Sequence, residues 1–446
     1  MTQQRTLRVA LLGAGSVGSQ VARLLLEHSD ELADRSGARL ELAGILVRDL
    51  EAQRDVELPA ELLTTQADEL IAGADIVIEL MGGMEPARTH ILAALQSGAD
   101  VVTGNKALLA THGPELYEAA DQVGATVSYE AAVAGAIPIV RPLRDSLAGD
   151  RIMRIFGIVN GSTNYILDRM DRDGLSAEEA QQIATDLGYL EADPTLDLEG
   201  FDAAQKAAIL ASLAFHTPVS IDDVYREGIG SVTADMIADA HRAGYVIKLL
   251  AVCERMITSS KAPDAGAVTA DGDAISVRVY PALISREHPL ASVHGGNNAV
   301  FVESEAAGPL MFYGAGAGGI QTASAVLGDV VSAARRHIAG GVGVGESTRA
   351  NLPITPIGQV TTRYHITIEV ADQPGVLATV AGILSERGVS VATVEQKAVV
   401  DAEGTARLVI GTHSAREDAL QATVQALEAL DVVEQVSSVL RVEGAA

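Results

Sequence analysis

One stretch of the chain, GYLEADPTLDLEGFDAAQKAAIL at residues 188–210, gathers five carboxylates and then a single lysine. Glu191, Asp193, Asp197, Glu199 and Asp202 come first, and Lys206 follows inside an apolar helical pattern. Asp202 and Lys206 stand four apart, so a helix starting near Gly200 places them on one face. A carboxylate beside a buried lysine holds that lysine charged, while desolvation and a second cation push its pKa down. Such a lysine can pass a proton at neutral pH. Taken alone, the spacing is better explained as an exposed ion pair, and the other motifs of the chain must decide.

A second group of residues is suited to holding a phosphate. GAGSVG places Gly13, Gly15 and Gly18, with Ser16 and Val17 between them, after the β-rich run TLRVALL and before the helical pattern SQVARLLLEH. The first glycine permits a tight turn, the second lets backbone approach a pyrophosphate, and the third lets helix pack on strand. Strand and helix flank the motif as the dinucleotide reading requires. The next strand ends in Val47, Arg48 and Asp49. Arg48 is placed to meet a 2′-phosphate, which favours NADP(H); Asp49 keeps NAD(H) possible, and Arg48 as a plain surface charge competes with both.

The elements that must carry these groups follow a regular order at first. Apolar runs at LELAGILV, ADIVIEL, ADVVTG and ATVSYEAAV alternate with helical patterns such as PARTHILAALQSG and GPELYEAADQVG, as in a parallel sheet with crossover helices. From residue 136 the rhythm changes: helical stretches at 164–172, 176–187, 201–215 and 233–257 alternate with strands IMRIFGIVN and AISVRVYPALI, an α+β unit. A Gly-rich turn, GAGAGG, then opens a long helix. The expected organisation is a dinucleotide-binding domain over 1–135 completed by a helix near 315–340, a substrate domain over 136–314, a Gly/Ser/Pro-rich linker over 341–361, and a βαββαβ unit over 362–446.

Bulk composition narrows the function classes. With 446 residues, 32 basic and 59 acidic side chains, the formal charge is −27, which disfavours nucleic acids and anionic membranes as partners. The lone Cys253 excludes an intrachain disulfide or a cysteine-based zinc site. No apolar run reaches membrane-spanning length, and the start of the chain has no basic-then-apolar leader, so a cytoplasmic protein is expected. The ten histidines form no HExxH pair, which argues against a catalytic transition metal. His216 reads as a helix-end residue, and the stripe VIKLLAVCE around Lys248 as core.

Taken together, GAGSVG (13–18), TGNKALLA (103–110), YEAAVAGAIPI (129–139), NGSTNYIL (160–167), the long acidic segment, YGAGAGGIQTASAVLGD (313–329) and DQPGVL (372–377) closely resemble the homoserine dehydrogenase family in its long form with a C-terminal ACT domain. The resemblance implies reversible reduction of L-aspartate 4-semialdehyde to L-homoserine, in the supply of threonine, methionine and isoleucine. It places the acid/base lysine on Lys206 and a second active-site lysine, also touching cofactor, on Lys106. It makes Glu191 and Asp202 the carboxylates that hold the substrate ammonium, and Gly188, Gly318 and Gly319 cofactor contacts. It further implies a monovalent cation, Na⁺, held mostly by backbone carbonyls at Glu130, Val133, Gly135 and Ile137; spacing alone reads that stretch as a strand-to-helix turn. L-threonine binding to the ACT unit, a homo-oligomer (dimer or tetramer), and a catalytic core that keeps turnover when the chain is cut near Pro356 complete the expectation. The competing readings are another NAD(P)-dependent amino-acid semialdehyde reductase and a non-catalytic metabolite sensor, which would need neither lysine.

Overall fold

The computed structural model describes residues 5–54, 56–190, 193–256, 273–341, 348–398 and 404–444. Along the chain the first strands are β1 (Arg5–Leu12), β2 (Ala38–Leu46), β3 (Leu63–Thr64), β4 (Ile76–Glu79), β5 (Asp100–Thr103), β6 (Val127–Ser128), β7 (Ile152–Ile158), β8 (Tyr225–Arg226) and β9 (Tyr245–Met256). They are followed by β10 (Ala274–Ser285), β11 (Asn297–Ser304), β12 (Gly308–Ala315), β13 (Thr361–Thr362), β14 (Tyr364–Ala371), β15 (Val391–Ala398), β16 (Thr405–Thr412), β17 (Ala415–Arg416) and β18 (Val433–Glu443). Two compact units result: one of Met1–Gly161, Asp202–Val224 and Gly296–Leu352, the other of Ser162–Phe201, Tyr225–Gly295 and Pro353–Ala446.

In the first unit, β1 to β6 form a parallel sheet in the order β3-β2-β1-β4-β5-β6, the doubly wound arrangement expected from the alternating pattern. Its central strands are buried on both faces, which is why they read as continuous apolar runs. Leu7, Val9 and Leu11 of β1 share a core with Val21, Ala22 and Leu25 of the helix Ser16–Glu27. Ala323, Val326 and Val330 of the long helix Gly319–Ala339 join that core, so a distant segment of sequence packs on the same sheet. Each such leucine or valine contributes roughly 1.5–3 kcal/mol when taken fully from water. Also in this unit, β7 pairs antiparallel with β11 and β11 with β12.

In the second unit, β9 and β10 are antiparallel, β18 lies parallel to β10, and β14, β16 and β15 continue outward. The last four of these, with helices Val376–Glu386 and Glu417–Glu428, are the βαββαβ unit, packed around Ile366, Ile368, Val380, Leu384, Leu408 and Leu420. Ser176 and Glu179 form a reciprocal cap on helix Ala177–Asp186. Among the described residues no helix is long and apolar enough to cross a membrane.

Three local expectations change. The stretch 233–257 is a helix only over Ala234–Arg242; Gly244, at φ +80, ends it and the rest is the strand β9. VIKLLAVCE is apolar on both faces, so a buried strand and a buried helix look alike by periodicity. The helix expected from Gly113 begins instead at Lys106, with Asn105 accepting from Leu108 N at 3.2 Å and Pro114 inside the helix. The strand read in ATVSYEAAV is only β6, followed by a single 3₁₀ turn over Glu130–Ala132.

Candidate active site

The glycine loop has the geometry its spacing requires. Gly13 sits at φ +103, and a Cβ there would lie 2.7 Å from Leu80 O. At Gly18 a Cβ would meet Gly13 O at 2.1 Å, which is the close helix–strand approach. Gly15 faces open space, with nothing within 4 Å of a Cβ position, and no side chain caps the helix it opens. The first backbone N–H groups of Ser16–Glu27 are therefore presented toward an anion. A cavity of about 800 Å³ lies beside this loop, lined by Arg48, Asp49, Arg54, Met81 and His90 among others. The donor set fits a dinucleotide. Arg48 is exposed there, while Asp49 turns its carboxylate to Glu51 N at 2.9 Å. Arg54, which the sequence did not mark, is held over the cavity by the carbonyls of Asp49 (2.7 Å) and Ala52 (2.9 Å). Gly318, at φ +123, and Gly319 bring the long helix onto the same loop: a Cβ at Gly319 would lie 2.8 Å from both Ser16 O and Ser16 Oγ.

Beyond the carboxyl ends of β4 and β5, a relay of hydrogen bonds sets the position of Lys106. Buried Glu79 accepts from Met81 N (2.8 Å), Gly82 N (3.2 Å) and Thr103 Oγ1 (2.7 Å). Thr103 Oγ1 accepts from Asn105 N at 3.0 Å, and Asn105 Nδ2 donates to Gly83 O at 2.7 Å. Lys106 is the first residue of the helix so fixed. Its ammonium reaches Asp202 Oδ1 at 2.5 Å.

Asp202 and Lys206 lie on the buried helix Phe201–Phe215, on one face, as their spacing required. Lys206 Nζ donates to Asp202 Oδ2 at 2.8 Å and to Val159 O at 2.6 Å. Asn160 Nδ2 also donates to Asp202 Oδ2, at 2.9 Å. Burial would raise the Asp202 pKa, but the Lys206 and Lys106 charges and their hydrogen bonds overcome it and hold the group well below the ordinary carboxylate range. One carboxylate thus anchors two ammonium groups of different exposure: the Lys106 side chain is 42% accessible and that of Lys206 11%. The exposed-ion-pair reading of Asp202 and Lys206 does not survive this burial.

Of the other expected residues, Glu191 lies outside the described residues. Gly188 belongs to the second unit, at φ +76 in the turn ending helix Ala177–Asp186. Next to it, Tyr189 stacks on Tyr165 with ring centroids 4.8 Å apart, and its carbonyl accepts from Ser162 Oγ at 2.6 Å. Tyr189 and Ser162 lie within the stretch that begins GYLEADP and within the NGSTNYIL motif, which are their hints in the sequence.

The loop Glu130–Ile137 is built around a carboxylate. Glu130 accepts from the N–H groups of Ile139 (2.5 Å), Val140 (2.7 Å) and Arg141 (3.0 Å) and from Arg141 Nε (3.0 Å). Glu130 N donates to Asp329 Oδ2 at 2.8 Å; burial pushes Asp329 up to about 7. Gly135, at φ +62, has Gly316 O 2.4 Å from a Cβ position, so no larger residue fits. Among the described residues no group of three or more His, Cys, Asp or Glu side chains could hold a metal ion.

A doubly wound sheet with its glycine loop, two lysines on a buried carboxylate, and a C-terminal βαββαβ unit define an NAD(P)-dependent oxidoreductase with an ACT domain. The family models that match are Homoserine dehydrogenase, NAD binding domain, over residues 13–130, Homoserine dehydrogenase over 138–331 and ACT domain over 364–432. The chain is 53% identical to the homoserine dehydrogenase of Mycobacterium tuberculosis, covering 99% of this chain and 98% of that protein. It is 40% identical to that of Bacillus subtilis, with 99% of each covered. Among solved structures, a homoserine dehydrogenase from Thiobacillus denitrificans superposes with a TM-score of 0.87 at 36% identity, over 98% of both chains. The chain belongs to the homoserine dehydrogenase family.

Proposed function

We propose that the chain interconverts L-aspartate 4-semialdehyde and L-homoserine with Lys206 as the proton donor and acceptor at the substrate oxygen. The observation that carries this reading is the sharing of Asp202 by Lys206 and Lys106. Glu191 and Asp202 hold the substrate ammonium, an assignment suited to an acidic segment facing an amino acid. The bound dinucleotide supplies or accepts the hydride at the substrate carbon. Lys206 gives its proton to the alkoxide as it forms, and Lys106 stabilises the same charge. In the reverse direction neutral Lys206 removes the hydroxyl proton. Buried Val159 O and Asp202 orient its ammonium, so little reorganisation accompanies the transfer.

NADP(H) is the preferred cofactor on this reading, with NAD(H) also accepted; Arg48 in the cavity wall and the engagement of the Asp49 carboxylate by Glu51 N support it. Gly13, Gly15, Ser16, Val17 and Gly18 cradle the pyrophosphate, and Gly188, Gly318, Gly319 and Lys106 complete the cofactor contacts. A Na⁺ ion binds backbone carbonyls of Glu130, Val133, Gly135 and Ile137. The commitment of the Glu130 carboxylate to the Ile139–Arg141 N–H groups supports a carbonyl cage rather than a carboxylate one. The segment 362–446 is the regulatory domain, responsive to L-threonine, in a dimer or tetramer of the chain. Measuring L-homoserine oxidation with NADP⁺ and with NAD⁺, in Na⁺ and Na⁺-free buffer, tests the set; no turnover with either cofactor would overturn it.

A further inference from the structure

The ACT family model ends at residue 432, yet the chain continues as β18 (Val433–Glu443). This strand has two neighbours: antiparallel β14 of the ACT unit and parallel β10, which lies within the region matched by the catalytic family model. Its last residues bury charge. Arg441 has a side chain only 9% accessible and grips two carboxylates of different origin. Its Nε and Nη2 donate to Glu417 Oε1, at 2.8 and 2.5 Å, on the ACT helix Glu417–Glu428. Its Nη1 donates at 2.9 Å to Glu227 Oε2, next to β8. The guanidinium carbon also lies 4.5 Å from the ring centroid of Tyr280 on β10.

Glu227 is not an isolated surface residue, because the segment around it is the support of the acidic run. Its own N–H donates to Val279 O of β10 at 2.8 Å. Two residues on, Ile229 N donates to Leu198 O at 2.8 Å. Gly228 packs so tightly that a Cβ would lie 2.3 Å from Leu198 O and 2.7 Å from Glu199 Cα. On the other side, Arg226 Nη1 donates to Glu199 O, and its guanidinium carbon stands 3.5 Å from the ring centroid of Phe201. Phe201 directly precedes Asp202 in the sequence.

We propose that Arg441 is a positioning residue for substrate binding: through Glu227 it fixes the support on which Leu198–Phe201, the segment that leads into Asp202, rests, so that the C-terminal strand of the regulatory part sets the grip on the amino-acid substrate. The bond from Arg441 to Glu227 is the hydrogen bond of its guanidinium that a shift of the ACT unit would stretch, since the two to Glu417 stay within that unit. The inference rests on the reading that Glu191 and Asp202 hold the substrate ammonium.

The test uses the full-length protein. Glu227→Gln keeps the size of the side chain and leaves Arg441 paired with Glu417. Arg441→Lys keeps a cation for buried Glu417 and cannot span both carboxylates with a planar fork. Each should raise the KM for homoserine roughly 5- to 20-fold with the KM for NADP⁺ changed less than about two-fold, and the double variant should be no worse than either single one. A lowered Tm with an unchanged homoserine KM, or additive effects in the double variant, would overturn the proposal. Amide hydrogen exchange of residues 195–201 without substrate supplies a readout independent of the substrate assignment. Faster exchange there in Glu227→Gln supports the positioning role even if Glu191→Gln leaves homoserine binding unaltered, whereas unchanged exchange overturns it.

Discussion

The ammonium of Lys106 lies 2.5 Å from Oδ1 of Asp202. The other oxygen of that carboxylate is taken by Lys206 and Asn160. Two lysines from distant parts of the chain are therefore oriented by one buried anion. Removing the anion leaves two cations without their partner, a larger perturbation than loss of either lysine.

Asp202→Asn should lower kcat/KM for homoserine by at least roughly 10²-fold, because both lysines lose their anchor. Lys106→Met should cost much less in that background than in the wild type, since the residues act as a unit. A double-mutant cycle on kcat/KM checks this; additive losses would mean that the carboxylate and Lys106 work separately.

Lys206→Met should lose roughly 10²–10⁴-fold in rate, the usual contribution of a positioned general acid, with cofactor binding retained. Glu191→Gln should raise the homoserine KM at least as much as it lowers kcat. Steady-state kinetics with a titration of NADPH fluorescence separates the two outcomes. A Lys206→Met enzyme within a few-fold of wild type would pass the proton-donor role to Lys106.

Arg48→Ala should shift the ratio of catalytic efficiencies toward NAD⁺, by roughly ten-fold for loss of one charge-assisted contact to a 2′-phosphate. Arg54→Ala, which removes a second cation from the same cavity wall, should shift it in the same direction. An unchanged ratio in both variants would leave cofactor choice to the backbone of the loop.

Lys248 is buried within β9, donating to Asn164 Oδ1 at 3.0 Å and Val293 O at 2.7 Å. Burial lowers its pKa from 10.5 to about 8. Between those values the unfolded chain holds a proton that the folded protein has released, so stability rises with pH across the window. The cost of the buried charge is complete below about 8 and absent above about 10.5, amounting to about 3 kcal/mol. Lys248→Met should flatten the curve across that window. Urea unfolding of both proteins as a function of pH reads the difference, and parallel curves would refute it.

L-threonine should inhibit the full-length enzyme at millimolar concentration, and substitution of Asp372 or Gly375, at the turn opening helix Val376–Glu386, should relieve it. The structure alters the expectation for a chain cut near Pro356. Such a cut removes β18 and with it Glu443, which accepts from Tyr280 Oη at 2.5 Å and meets Arg278 at 3.3 Å. Arg278 is 1% accessible and, of the carboxylates Glu254 and Glu443 that pair with it, would keep the first. Truncation should therefore lower Tm and turnover together, where a point substitution in the ligand turn spares both.

The parts of the site legible in the sequence are those set by local backbone geometry. The spacing of Gly13, Gly15 and Gly18 is that of one phosphate-binding turn, and Asp202 and Lys206 are one helical turn apart, so spacing puts these two on one face, while the family resemblance makes them a site rather than an exposed ion pair. Lys106 reached Asp202 only through the family resemblance, because its position depends on the Glu79–Thr103–Asn105 relay between separate strands. Asn160 and Arg441 gave no signal of role: their partners are 42 and 214 positions away. Lys248 is core, as the sequence indicates, but the stripe around it reads as helix from sequence, since a strand buried on both faces carries no alternation.

The parallel pairing of β10 with β18 joins residues far apart in the order of synthesis: Ala282 lies opposite Arg441. During translation β10 emerges long before the strand that covers its edge. Until β18 is made and docks, that edge is uncovered and the buried Arg278 beside it lacks Glu443, a form open to wrong strand pairing. Docking of β18 is thus a step in maturation, and a nascent chain halted before that strand would leave β10 without its parallel neighbour at Ala282–Ile284.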